Sequence, residues 1–445
     1  MHWKGISTFA LGVAFLAPSA ATAATFGQVV AIGGAASDIA LDESRGLLYI
    51  ANFGAATIEK MSLSTYSIQS SFNVAPEPGA LAISQDSQYL LVAHYANGAT
   101  SPPGSNLITL IHLSDGSRLT FTTGDPPLGV AFFCTSPSCT APQALIVTTT
   151  SVLRFDPVSG QTAVISAFAS LANTLPVSQG TLPGQILQTA VATSADGMTV
   201  WGIGGANTGS QVVFKYDAHV NALSGGTYIT SPPLLPRVSV AADGSSAMIG
   251  YTLVDANGNL KGRYPNVIAS NTITGSAIDS KNGIIYGQFP DANQPTGPAN
   301  SSSTPAGSTP SVKLPALLLM DPDHLAIRDR LIMPEDIVGR ALLNAAGTML
   351  YAISESGVMA LPVGSLNNYN RVAASVEDVL VSTDFCNRSA VTQSFTVADP
   401  GGNHTDFAVS TSQTGISISQ SSGVTPATVD VTVSPAAFAG SGGTT

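Results

Sequence analysis

Residues able to do chemistry are few in this chain, and they are scattered. Cys134 and Cys139 lie close together in FFCTSPSCTAP. A turn through Ser136 and Pro137 would bring the two thiols together, so the sequence predicts a disulfide closing a small loop. A metal site would need further Cys or His ligands nearby, and this stretch has none. Cys386 is the odd cysteine, either buried and unpaired or bonded outside the chain. His94, His112, His219 and His324 have no paired ligand spacing, which reads as structural or exposed histidines.

Three other patterns resemble known sites and fall short of them. DANGN at Asp255 opens like a calcium loop, yet Leu260 stands where such a loop needs Gly and no Glu closes it, so an Asn-Gly turn accounts for it. GIGGANTG from Gly202 has Asn207 in place of the third Gly of a dinucleotide fingerprint, with a strand rather than a helix expected next, and reads as a loop. Asp321 and Asp323 fall in a turn, where such residues are common. The chain has no GxSxG nucleophile elbow. No catalytic, cofactor-binding or metal-ligating residue is assigned, and no cofactor is implied.

Composition narrows the partners. With 44% apolar and 10% charged residues, the 445-residue chain is built to fold, and a formal charge of −11 without a basic cluster argues against nucleic acid. Lys4, the apolar stretch Phe9 to Ala17 and Ala21-Thr22-Ala23 have the order of an export signal, residues 1–24, with the mature chain starting near Ala24 or Thr25. That stretch is shorter than the roughly 20 residues of a membrane span, and nothing later in the chain is long and apolar enough to cross. The mature protein is therefore expected to be secreted, periplasmic or at the cell surface, and not membrane-spanning.

The elements that must position any site come from a repeat. LDESRGLLYIA from Leu41, AISQDSQYLLVA from Ala82, ATSADGMTVWG from Ala192, VAADGSSAMIG from Val240, AIDSKNGIIYG from Ala277 and LLNAAGTMLYA from Leu342 each join two apolar strands through a polar turn. VAFFCTSPSCTAPQALIVT from Val130 is a seventh copy whose turn carries the cysteines. Further apolar runs and a second turn follow in several copies, near Leu63, Asp115, Asp156, Asp217 and Asp321. The unit is four strands, here named a to d, recurring at roughly 40 to 65 residues, the pattern of a β-propeller. The predicted fold class is all-β: a seven-bladed β-propeller over 25–372, followed by a partial immunoglobulin-like β-sandwich over 373–445. FGQVVAIG, Phe26 to Gly33, precedes the first a-strand, while the last repeat lacks a convincing fourth strand; the N-terminal strand is expected to complete the seventh blade.

PGALAISQDSQYLLVAHYA (Pro78 to Ala96) and NLITLIHLSDGSRLTFTTGDPPLGVAF (Asn106 to Phe132) resemble the repeat of bacterial YVTN-type, WD40-like β-propeller proteins. The resemblance implies the fold but almost nothing of function, because propellers carry many unrelated activities. In the tail, QSFTVADPGG, DFAVSTSQ, GISISQSSG and ATVDVTVSP alternate apolar and polar residues between turns. TGISISQSSGVTPATVDVTVSP resembles the immunoglobulin-like BACON module of bacterial surface and secreted proteins, which implies one or two further strands beyond Thr445.

In a propeller the b-to-c loops and the d-to-a connections leave one face, and the a-to-b and c-to-d turns leave the other. The sequence places Asn97 to Asn106, Ala206 to Gln211, Asp255 to Asn266 and Asp291 to Val312 as b-to-c loops, and Ala169 to Gln188 as a d-to-a connection. All would crowd onto one rim, with Asn293 to Ser311 expected to be disordered. The leading expectation is an exported, non-enzymatic protein binding a protein or glycan at the cell surface through that rim. A propeller enzyme of lactonase or dehydrogenase type is the alternative, and convergence of three or more ionisable side chains at the channel mouth would favour it. A structural cell-surface component is the third reading.

Overall fold

The apolar runs between the polar turns become strands because each finds cover on both faces. In the computed structural model, which describes residues 25–95, 106–136, 138–176, 178, 182–205, 210–229, 235–264, 275–290, 296–298, 311–323, 325–368, 372–376, 379, 389–399, 402, 404–411 and 413–438, seven four-stranded antiparallel sheets follow one another between residues 28 and 361. The proposed export signal and Cys386 lie outside the described residues.

Blade one is Ala36–Asp42, Leu47–Asn52, Thr57–Ser62 and Ile68–Asn73; blade two is Pro78–Ile83, Tyr89–His94, Leu107–His112 and Arg118–Thr122. Blade three is Pro127–Cys134, Pro142–Thr148, Ser151–Phe155 and Thr162–Ala167; blade four is Gln188–Thr193, Thr199–Gly205, Ser210–Asp217 and Ala222–Ile229. Blade five is Val238–Val240, Ser246–Ile249, Thr252–Asp255 and Leu260–Arg263; blade six is Gly275–Asp279, Ile284–Gln288, Ala316–Met320 and Ile327–Ile332. Blade seven takes Ile337–Leu343, Leu350–Ser354 and Gly357–Leu361 from the end of the run, and its outer strand, Gln28–Ala31, from the beginning. The closing pair runs antiparallel from Gln28 opposite Ala360 to Ala31 opposite Gly357, as the sequence led us to expect.

Burial follows strand position. Second strands such as Leu47–Asn52, Tyr89–His94 and Leu350–Ser354 are almost wholly buried, which explains their unbroken apolar runs. Outer strands such as Ile68–Asn73 and Arg118–Thr122 are mostly exposed and carry the polar residues. Seven apolar clusters fill the seven gaps between neighbouring blades. Tyr49, Leu81 and Leu90 join blades one and two, Phe133, Val200 and Phe214 join three and four, and Ile39, Ile50, Tyr351 and Val358 join seven back to one. The ring is therefore closed twice, by a strand and by a core.

Blade five departs from the sequence reading. Asp255 ends a c-strand, and the DANGN stretch is the c-to-d turn leading into Leu260–Arg263, not a b-to-c loop. Blade five is so compressed that Gly250 and Tyr251 alone join its b- and c-strands. The GIGG stretch read as a loop is also strand, the end of Thr199–Gly205; Gly202 lies under the Phe214 ring, where a Cβ would come within 2.0 Å of it. In blade six, Thr296–Pro298 pairs with Ser311–Lys313 inside the insertion between its b- and c-strands, so part of the stretch expected to be disordered is a hairpin stem.

Beyond the ring, Ala373–Ala374, Val391–Ala398, Ala427–Val433 and Ile416–Ile418 form one sheet, and Asp406–Ala408 pairs with Ser422–Val424. Val397, Phe407 and Val429 are their shared core. Among the described residues no helix is long and apolar enough to cross a membrane.

Candidate functional site at the mouth of the central channel

The a-strands line the axis of the ring, and several carry small residues within their first three positions. Ala35-Ala36-Ser37, Gly79-Ala80, Gly129, Ala190 and Gly339 leave room for a cavity of about 450 Å³ at one end of the channel. Phe53 and Tyr95, just beyond b-strands, and Leu235 and Pro236, just before an a-strand, complete its wall. This mouth therefore opens on the face of the b-to-c loops and d-to-a connections. A second chamber of about 550 Å³ opens at the opposite end among the a-to-b turns, with Glu43, Asp279 and Lys281 in its wall.

Three charged side chains converge at the mouth: Asp38, Arg237 and Arg340. Their positions are equivalent in the repeat. Each lies four residues before the first residue of its a-to-b turn, namely Asp42, Ala241 and Asn344, which face Leu47, Ser246 and Met349 across their hairpins. In the same register the other blades place Ala80, Gly129, Ala190 and Gly275 there. One ring of positions thus sets the charge of the throat.

Arg340 spans the axis. Its Nη1 donates to both Asp38 carboxylate oxygens at 3.3 and 3.2 Å and to the Leu81 carbonyl at 3.0 Å, while Nη2 donates to the Val191 carbonyl. One side chain from blade seven so touches blades one, two and four, and it lines both chambers. Asp38 also accepts the backbone amides of Ile39 at 2.9 Å and Leu81 at 2.7 Å. Burial pushes the Asp38 carboxyl above its usual range, against the opposing pull of Arg340 and those two amides. Arg237 donates to the Pro236 carbonyl at 2.9 Å and the Val338 carbonyl at 2.7 Å. Burial lowers its guanidinium from the ordinary value, and the Asp38 charge works the other way.

Two guanidinium groups against one carboxylate give the throat a net charge of about +1 within a protein of −11. The arrangement suits electrostatic capture of a ligand more than proton transfer, because Asp38 already accepts Arg340 and two amides.

The residues weighed from sequence lie elsewhere. Cys134 and Cys139 are bonded across the a-to-b turn of blade three, with Cα atoms 4.9 Å apart, on the face opposite the mouth. His94 is fully buried; its Nδ1–H donates to the Pro76 carbonyl at 3.1 Å, and its Nε2 accepts the Thr109 hydroxyl at 2.8 Å. His112 meets the Tyr89 ring edge-on and His219 sits in a c-to-d turn, while His324 is outside the described residues. Asp321 is buried and caps its turn by accepting the amides of Asp323 and Ala326, each at 2.9 Å. Asp255 accepts the Asn259 side-chain amide at 2.9 Å and the backbone amides of Asn259 and Asn257, and these bonds, the side-chain one foremost, hold its carboxyl below the usual range. Among the described residues no three His, Cys, Asp or Glu side chains are grouped to hold a metal ion. The d-to-a connection after residue 168 is not a free rim loop, because Leu175 packs with Trp201 and its amide donates to Gly225 of blade four's outer strand.

Sequence comparison finds no family model matching the chain and no curated protein similar to it. Structural comparison finds propellers. The chain is similar to Kuenenia stuttgartiensis hydrazine synthase, with a TM-score of 0.52 and 14% identity over 78% of this chain and 99% of the other. It is also similar to the β-propeller domain of Myceliophteria thermophila Cps50 (Swd1), with a TM-score of 0.50 and 13% identity over 75% of this chain and 98% of the other. At such identity the likeness is one of fold alone.

Proposed function

We propose that this is an exported, non-enzymatic binding protein of YVTN type, in which the propeller offers the channel mouth and its surrounding loops to a protein or glycan at the cell surface. The tail serves as a BACON-like, immunoglobulin-type spacer or adhesion unit. The observation that carries the reading is the concave mouth itself: a pocket of about 450 Å³, held by rigid inner strands, on the face that receives the long insertion between Gln288 and Ala316. The convergence of Asp38, Arg237 and Arg340 favours a second reading, a propeller enzyme of lactonase or dehydrogenase type. We rank it below binding because its one carboxylate is committed to Arg340 and to backbone amides.

A thermal-shift screen of glycans and lactones on the chain starting at Thr25, repeated with 293–311 deleted, tests both. Binding predicts a raised unfolding midpoint with at least one glycan and no lactone consumption. Lactone turnover that stops in Asp38→Asn would replace the binding reading with the enzymatic one.

A further inference from the structure

The throat is small, mostly apolar and positive, and these properties together specify a ligand. We propose that the channel mouth binds a compact monocarboxylate, with the carboxylate held in the throat beside Arg237 and Arg340 and an apolar body against the wall. This deepens the binding reading of the same site and rests on it.

Three observations converge. First, the ring of equivalent positions holds two arginines and one aspartate, so the charge nearest a ligand carboxylate is positive in a place where low dielectric strengthens attraction. Arg237 is held by carbonyls of Pro236 and Val338 beside the cavity, which fixes its guanidinium before a ligand arrives. Second, Phe53, Val130, Val338 and Ile353 give the wall an apolar surface, which suits a hydrocarbon or aromatic body. Third, the connections around this face carry Glu77, Asp125, Glu335 and Asp336, just before a-strands of blades two, three and seven. Asp125 accepts the Thr150 hydroxyl, Glu335 the Ser356 hydroxyl and Asp336 the Gln288 amide, so all three stay fixed near the face. A second negative charge on the ligand would meet these carboxylates. A monoanion is therefore preferred to a dianion, and a carboxylate to a phosphate.

Ligand-detected NMR and calorimetry with benzoate, benzamide, phthalate and inorganic phosphate test this on the chain starting at Thr25. Benzoate should bind with a Kd on the order of 1 mM or tighter, as a small ligand in such a pocket can. Benzamide, phthalate and phosphate should each bind at least tenfold more weakly, and added salt should weaken benzoate. Arg237→Met should cost benzoate at least tenfold. If that variant proves unstable by thermal melting, Ala190→Glu supplies an independent check: it adds a carboxylate at the equivalent position of blade four while keeping both arginines. Benzoate binding unchanged in Ala190→Glu, or benzamide binding as well as benzoate, would overturn the proposal. Phosphate binding more tightly than benzoate would overturn the carboxylate class. Glycan binding that persists without any carboxylate binding would sink this inference and leave the broader reading standing; no binding of either kind would sink both.

Discussion

At the scale of single residues, Arg340 is the side chain on which most depends. Removing one member of a largely desolvated ion pair leaves its partner unsatisfied, so Arg340→Met should lower stability by about 3 kcal/mol in urea unfolding. Asp38→Asn should cost less, because the amide oxygen can still accept from backbone and Arg340. His94 makes a different prediction. Burial lowers its pKa below that of the unfolded chain, so between the two values the unfolded state binds the extra proton. The neutral ring's stabilising contribution is complete above pH of about 6.5 and declines as pH falls, at up to about 1.4 kcal/mol per pH unit. His94→Gln should flatten that slope when urea midpoints are compared at pH 7 and pH 5. Of these residues only His94 is marked by its type in the sequence, and there as structural or exposed. His94 looked unremarkable because its partners, Pro76 and Thr109, are backbone and hydroxyl groups without a motif. Asp38, Arg237 and Arg340 are single charges in apolar strands, far apart along the chain.

At the scale of elements, the strands were legible because their physics is local. A buried second strand must be apolar along its length, and a six-residue a-to-b turn such as Ser84 to Tyr89 needs a side-chain acceptor at its start, met there by the Ser84 hydroxyl. The same turns supply the register that exposes the throat: counting back from Asp42, Ala241 and Asn344 lands on the three charged residues. Blade five departs from the sequence pattern for the converse reason. Asp255 and Asn259 form a hydrogen-bonded turn that looks alike wherever it falls, and only the pairing of Thr252 with Arg263 shows that it joins c to d. The strand Gln28–Ala31 allows a sharper test. A Cβ on Gly357 would sit 2.2 Å from the Val30 carbonyl oxygen, an atom of backbone that cannot rotate away. Gly357→Ala should therefore destabilise the protein by about 2 kcal/mol, and limited proteolysis should cut near residue 30 before anywhere else in the ring.

At the scale of the whole molecule, each blade leaves two apolar faces, and only a closed ring covers all of them. Seven clusters in seven gaps meet that demand, which is why the repeat could be read as a ring before any contact was known. Closure also creates the axis, and with it a pocket belonging to no single blade. Its charge comes from three strands at once, so no window along the sequence contains it.

The pairing of Gln28–Ala31 with Gly357–Leu361 sets an order of events. The outer strand is synthesised before every other strand of the propeller and its partner after the first six sheets, so during synthesis the early sheets stack without a lock. Completion of the circle then reports that the entire propeller has arrived, and a chain cut short before its seventh sheet would remain open at the seam and exposed to quality-control proteases.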